Sequence, residues 1–231
     1  MPLTRDPRLD ALRGLALVMI YINHLPANAW QGLTSRYFGL SDAAEGFVLI
    51  AGISAALAYG KWFGAGADRP LMRAGLRHVW RRIGVIWLVH LLITALVLAA
   101  IAGLARALGD ITILWHNQMP AVTADPRGAL IRIPLLLQQL DYVDILPMYI
   151  VLLAVAPLAL WLGARAPGVL LGVAVALWWV TGAFLLNLPN HPNPAGWFFN
   201  PLAWQIVFVI GLLIGLALRQ GRRLVPRHWA L

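Results

Sequence analysis

The chain has 231 residues and no cysteine; 61% of its residues are hydrophobic, 12% are charged, and its net charge at pH 7 is +9. A soluble domain carries about a quarter charged residues, so this composition indicates a polytopic membrane protein rather than a water-soluble enzyme. The lack of cysteine excludes disulfides, zinc–thiolate sites and a cysteine nucleophile, whereas the positive charge suits either nucleic-acid binding or basic loops on one side of a membrane.

Six apolar segments are long enough to cross a bilayer as helices. They predict an all-α fold, a polytopic transmembrane bundle of about six spans that forms one integral membrane domain over residues 1–231. The predicted spans lie at about residues 10–26, 43–60, 82–104, 143–163, 168–188 and 201–219.

Two connecting segments carry helical features of their own. After the second span, Gly64–Gly66 and Pro70 predict a loop, followed by a helix from about Leu71 that continues into the third span. The stretch GALIRIPLLLQQL, residues 128–140, is too short to span a bilayer and too apolar for a free loop. It predicts a re-entrant or interfacial helix.

The basic residues predict the orientation of these spans, because cytoplasmic loops are enriched in arginine and lysine. With the N-terminus in the cytoplasm, the outer segments hold only Arg36, Arg106, Arg127 and Arg132. The cytoplasmic segments then hold the other fourteen basic residues, which are Arg5, Arg8, Arg13, Lys61, Arg69, Arg73, Arg77, Arg81, Arg82, Arg165, Arg219, Arg222, Arg223 and Arg227. This asymmetry accounts for the net charge, so we expect a lipid bilayer and no nucleic acid as a partner.

The N-terminal segment has one alternative interpretation. Arg5, Arg8, the apolar run and Ala27–Ala29 imitate a secretory signal with an A-x-A cleavage site. Against this interpretation, Asp6 and Asp10 lie in the region that should be basic. Cleavage would also remove one span and spoil the charge pattern of the remaining loops.

The first span, RGLALVMIYINH, carries an arginine at one end and a histidine at the other. Eleven helical steps bring His24 to within roughly 20° of the face of Arg13, about 16 Å farther along the axis. Ionisable residues in spans are costly and therefore candidates for function. The alternatives are an interfacial anchor for each residue, with Arg13 paired to Asp10 three positions earlier.

Glu45, the only glutamate, starts the second span at the depth where His24 leaves the first. Its carboxylate could orient an imidazole that acts as a general base. It is equally well explained as a favourable charge at a helix N-terminus.

Other polar residues near span ends suggest ligand contacts. Arginines at the start of the third span could bind a phosphorylated ligand or contact lipid phosphates; they are Arg73, Arg77, Arg81 and Arg82. Asp141 and Asp144 could bind sugar hydroxyls or cap the fourth span, and Trp197 could stack on a sugar or belong to an interfacial aromatic belt. We expect His90 to pack inside the third span, and no motif for a metal site is present.

Several stretches resemble a known family. LDALRGLALVMIYINH, residues 9–24, resembles the first span of the acyltransferase-3 superfamily, whose signature is a basic residue, ten residues and a histidine; Arg13 and His24 have this spacing. GFVLIAG (46–52) resembles the second-span motif, with Ala51 where serine is common, and RRIGVIW (81–87) resembles the arginine-rich entry to the third span. With LDYVDILPMYIVLL (140–153) and WFFNPLAWQIVFVIG (197–211), the chain is similar to the OpgC branch.

Members of the OpgC branch are bacterial inner-membrane proteins that succinylate osmoregulated periplasmic glucans. The resemblance implies an acyl-CoA-dependent membrane O-acyltransferase that holds no permanent cofactor. It would move an acyl group, as from succinyl-CoA, out of the cytoplasm to a sugar hydroxyl of a periplasmic glucan. His24 would act as the general base, and Arg13 would orient the donor or stabilise charge near the channel. The arginines at the start of the third span would hold the CoA phosphates.

The chain departs from the superfamily pattern in two ways. Valine stands at position 79, where a second arginine is common, and members have about ten spans rather than six. The chain is therefore interpreted as a fragment or as a reduced member. Two other functions remain open, a small-anion transporter or channel with His24 as a proton relay and a non-catalytic membrane subunit.

Overall fold

Helices account for the regular secondary structure of the part of the chain that this computed structural model describes, residues 7–25, 27–38, 41–115 and 117–222. No strand occurs within these ranges, so the predicted all-α class is confirmed. Three arginines of the predicted charge pattern, Arg5, Arg223 and Arg227, lie outside the described residues.

The helices follow the predicted apolar segments closely. Their bounds are α1 (Pro7–His24), α2 (Ser35–Phe38), α3 (Ala43–Tyr59), α4 (Arg69–Leu108), α5 (Met119–Ala124), α6 (Pro126–Arg132), α7 (Ile145–Gly163), α8 (Pro167–Ala183) and α9 (Pro201–Arg219). Short 3-10 turns lie at Ala29–Leu33, Gly60–Trp62 and Ile111–Trp115. The predicted helix from about Leu71 is confirmed, because α4 runs unbroken for 40 residues, about 60 Å and twice a bilayer's hydrocarbon thickness.

Four helices in the described ranges are long and apolar enough to cross a membrane. They are Ala43–Trp62, which includes α3, and the helices α4, α7 and α9. The predicted number of about six spans was approximate. The other two predicted spans are helices that are too charged or too short to belong to this group. Helix α1 carries Arg8, Asp10 and Arg13 within its 18 residues, and α8 is an apolar helix of only 17 residues.

Helix boundaries follow from local side-chain chemistry. At the start of α3, Asp42 and Glu45 form a capping box, in which the side chain of each residue accepts a hydrogen bond from the backbone N–H of the other. At the start of α6, the Asp125 carboxylate accepts from the N–H of Gly128 at 2.9 Å. Of residues 128–140, only the first five are helical, because α6 ends at Arg132, two residues before Pro134, and the chain continues in turns. The re-entrant or interfacial position of this segment stays a prediction.

The described residues fall into two compact units. The first comprises residues in Met1–Val79, Val155–Trp179 and Trp204–Leu231. Its core contains a very close crossing of α3 and α9, where Gly52 faces the backbone of Phe208 and Leu212. On α9, Gly211 and Gly215 face the backbone of α3 in turn. These glycines form small-xxx-small pairs with their neighbours, which allow helix backbones to approach in a membrane.

The second unit comprises Trp80–Ala154 and Val180–Ala203. Its α4 portion is joined to the segment after α6 by the Trp87 indole, which donates to the Pro134 carbonyl at 2.8 Å. The loop after α8 is joined to the same segment, because the backbone N–H of His191 donates to the Leu137 carbonyl at 2.8 Å. The second unit therefore joins two irregular segments to each other and one of them to a long apolar helix.

Candidate functional site

The predicted candidate Arg13 lies on the face of α1 that contacts α3. Its guanidinium donates to the hydroxyl of Ser54 at 2.5 Å and lies 3.6 Å from the carboxylate of Asp10. The pairing with Asp10 was predicted from the spacing, whereas Ser54 was missed. Ser54 lies three residues after Ala51, the position where the family motif commonly has serine, and this proximity was the available signal.

The end of this helix pair that carries His24 is held by a second polar network. The Asn23 side-chain amide donates to the Asp42 carboxylate at 2.9 Å, and the buried Thr34 hydroxyl donates to Oδ1 of the same amide at 2.8 Å. Because Asp42 also caps α3, one carboxylate fixes both the start of α3 and the end of α1. Sequence reasoning identified neither Asp42 nor Thr34.

His24 is the last residue of α1 and is exposed. Its Nδ1 lies 2.5 Å from the carbonyl oxygen of Ile20, one turn earlier. A carbonyl can only accept, so Nδ1 carries the proton, and the lone pair of a neutral ring is placed on Nε2. Since α1 is one unbroken helix over Pro7–His24, Arg13 and His24 lie on nearly the same face, as the spacing predicted.

Glu45 serves the start of α3. Its carboxylate accepts from the backbone N–H of Asp42 at 2.8 Å, so the predicted helix-terminal role is present. Its second predicted role, the orientation of His24, stays a prediction.

Six arginines of the predicted cytoplasmic segments fall into two sets. Arg165 donates to the carbonyls of Phe63 and Ala65 at 3.3 and 3.2 Å, and Arg219 donates to Leu57 at 2.9 Å. These two cations therefore satisfy carbonyls at the end of α3 and in the turns after it. The second set lies on α4 and comprises the exposed residues Arg73, Arg77, Arg81 and Arg82.

The exposed arginines of α4 follow a regular spacing. Arg73, Arg77 and Arg81 are four residues apart and lie along one side of a continuous helix. Nearby, the Trp62 ring stacks on His78 at 4.6 Å between centroids, and the Lys61 ammonium lies 4.3 Å from the same ring. The surface is therefore a row of accessible cations beside a packed aromatic cluster.

The predicted sugar-binding residues occupy different environments. Asp141 is exposed and accepts from the Gln118 amide at 3.3 Å. Asp144 is buried and immediately precedes α7, the position of a helix cap. Trp197 is only 5% exposed, and its indole donates to the Pro189 carbonyl at 2.9 Å. Its ring forms the interior of the loop after α8, which favours packing over the predicted stacking on a sugar.

A protein-family model described as OpgC protein matches residues 5–231 of the chain. No curated protein and no solved structure matches it. The family match covers both polar networks of α1 and α3 and the whole arginine row of α4.

Proposed function

The chain belongs to the OpgC protein family, which indicates a glucan-modifying acyltransferase in general, and from this premise we propose that it moves a succinyl group from acyl-CoA to a sugar hydroxyl of a periplasmic glucan. The family match over residues 5–231 is the observation that carries the proposal. Helices long and apolar enough to cross a membrane support it, because the reaction joins a cytoplasmic donor to an acceptor on the other side.

The arginine row of α4 suits the donor. Arg73, Arg77, Arg81 and Arg82 are exposed and would contact the phosphates of CoA, which guanidinium groups bind through paired charged hydrogen bonds. CoA is a substrate in this scheme and no permanent cofactor is needed. The cations of Arg165 and Arg219 are already engaged by carbonyls, so we assign them a structural role.

The histidine of α1 suits the chemical step. Because Nδ1–H donates to the Ile20 carbonyl, Nε2 of His24 would accept the proton of the sugar hydroxyl. The hydroxyl oxygen would at the same time attack the thioester carbonyl. The new ester C–O bond forms, the C–S bond breaks, and the CoA thiolate leaves and takes up the proton from the imidazolium. Arg13, held by Ser54 and Asp10, would orient the donor.

The acceptor would bind outside the membrane. Asp141 and Asp144 are the proposed partners of its hydroxyl groups, since carboxylates accept hydrogen bonds from sugars. Trp197 is proposed to shape the neighbouring loop, which its buried indole holds together through Pro189.

The general-base role is tested by His24→Ala. We expect acyl transfer to a glucan acceptor to fall about 10²–10⁴-fold, with acyl-CoA binding retained, because the change removes a proton acceptor and leaves the arginine row intact. The measurement is transfer of a radiolabelled succinyl group in vesicles, with folded protein quantified.

The matched control is His78→Ala. His78 makes the same type of contact, with Nδ1 2.8 Å from the Ala74 carbonyl one turn earlier, so the control removes an equivalent side chain and hydrogen bond from α4. It should transfer at nearly the wild-type rate when the donor is saturating. Full transfer by well-folded His24→Ala protein would show that the histidine is an interfacial residue and that the base lies elsewhere.

A further inference from the structure

The last turn of α1 is held by hydrogen bonds rather than by apolar packing. Of the described residues of α1, only Ala16 is buried, and Tyr21 and His24 near its end are exposed. Helix ends fray unless their terminal backbone groups find partners. The position of this turn therefore depends on its polar contacts.

Side chains of the following segment bind carbonyl groups at this helix end. The Asn28 side-chain amide donates to the carbonyls of Ile22 and Leu25 at 2.8 and 2.5 Å. The Gln31 side-chain amide donates to the Leu25 carbonyl at 3.0 Å. A helix C-terminus leaves such carbonyls without intrahelical partners, so the chain after His24 folds back over the helix end and stabilises it against fraying.

Asn23 joins the same turn to α3. Its Nδ2 donates to the Asp42 carboxylate at 2.9 Å, and its Oδ1 accepts from the Thr34 hydroxyl at 2.8 Å. A carboxylate can only accept, so the amide has a single orientation that satisfies both partners. Asp42 is itself fixed, because it caps α3 and accepts from the backbone N–H of Ala43 at 2.6 Å.

The fixed asparagine immediately precedes His24. Nδ1 of His24 lies 2.5 Å from the Ile20 carbonyl, so the ring is oriented relative to α1, and the Asn23–Asp42 bond orients α1 relative to α3. We propose that Asn23 and Asp42 are positioning residues, which hold Nε2 of His24 at the place where the hydroxyl proton is transferred. The inference rests on the proposed function and adds two residues that act through the histidine.

The test exchanges the acid and the amide of this pair in the full chain. Asn23→Asp places two carboxylates against each other, so kcat for acyl transfer should fall about 10- to 100-fold, because a displacement of about 1 Å can cost about 100-fold in rate. Acyl-CoA affinity, measured by equilibrium binding, should be unchanged. The double variant Asn23→Asp, Asp42→Asn restores an amide–carboxylate pair and should recover most of the lost kcat, since asparagine is also a favoured N-cap.

The matched control is Asn190→Asp. It makes the same substitution at a residue whose Oδ1 accepts from the backbone N–H of Gln139 at 2.9 Å, a contact that a carboxylate keeps, so kcat should stay near the wild-type value. A second comparison adds Asn23→Asp to His24→Ala. A positioning residue acts through the side chain that it holds, so the residual transfer of His24→Ala should fall no further.

Thr34→Val is the second variant and decides the case if Asn23→Asp does not fold. It removes the hydroxyl that donates to Asn23 and should also lower kcat with donor affinity unchanged. Wild-type kcat in the folded variants, no recovery in the double variant, or a further loss in the His24→Ala background would each overturn the positioning role and leave the proposed function standing. If the wild-type protein transfers no acyl group, the proposed function is wrong and the positioning role with it.

Discussion

Arginine side chains of this protein fall into two groups, those that hold oxygen atoms of the protein and those that project from α4. Arg13 donates to Ser54, and Arg165 and Arg219 donate to backbone carbonyls, so each joins two elements of one unit. Arg77 and Arg81 project from α4 and are exposed. A sequence shows eighteen basic residues and their loop asymmetry, but only packing shows which guanidinium groups are engaged.

The exposed pair leads to a prediction about the donor. Arg77→Gln and Arg81→Gln should each weaken acyl-CoA binding about 10- to 100-fold, because each removes a charge-assisted hydrogen bond to phosphate. Equilibrium binding to purified protein in detergent measures the change. Arg106→Gln is the matched control, because Arg106 is also an exposed arginine and lies at the other end of α4. If the double variant Arg77→Gln, Arg81→Gln binds acyl-CoA with wild-type affinity, both arginines serve topology or lipid contact and do not bind the donor.

At the scale of elements, the pairing of α3 with α9 depends on glycines. A Cβ on Gly52 would meet the carbonyl oxygen of Phe208 and the backbone nitrogen of Leu212. Backbone atoms cannot turn aside as a flexible side chain can, so the helices would have to separate. Gly211 meets the Leu49 carbonyl in the same way, and the contact is therefore reciprocal.

Gly52→Ala should lower the thermal unfolding midpoint strongly, because overpacking lowers the free energy of unfolding by about 1–3 kcal/mol or more. Gly46→Ala is the matched control on the same helix, because a Cβ there meets nothing within 4 Å; it should be neutral or stabilise α3 by about 0.5–1 kcal/mol. Tryptophan fluorescence during heating in detergent reports both. Equal midpoints for the two variants would contradict the close crossing.

The sequence predicted elements better than their partners. It predicted the helices from apolar length, because this signal is local. It could not identify Gly211 as the partner of α3, or Ser54 as the partner of Arg13. Helix pairing in a membrane is decided by complementary surfaces of distant segments, and no local periodicity encodes that complementarity.

At the scale of the molecule, contacts within the first unit agree with the charge-based prediction of which loops lie on the same side of the membrane. Arg165 after α7 reaches Ala65 in the loop before α4, and Arg219 at the end of α9 reaches Leu57 near the end of α3. These four chain positions therefore lie at one end of the unit. At the other end, Asn23 of α1 meets Asp42 at the start of α3. The predicted orientation assigns the first of these ends to the cytoplasm.

That orientation can be measured directly, because the chain contains no cysteine and each introduced thiol is the only one. Ala65→Cys should be protected from a membrane-impermeant maleimide in intact cells and react after permeabilisation, since loops with clustered arginines stay in the cytoplasm. Leu33→Cys and Ala195→Cys should react in intact cells. All three positions are exposed, so a difference in labelling reports the side of the membrane rather than burial. Reaction of Ala65→Cys in intact cells, with Leu33→Cys protected, would invert the topology and place the arginine row of α4 on the wrong side for a cytoplasmic donor.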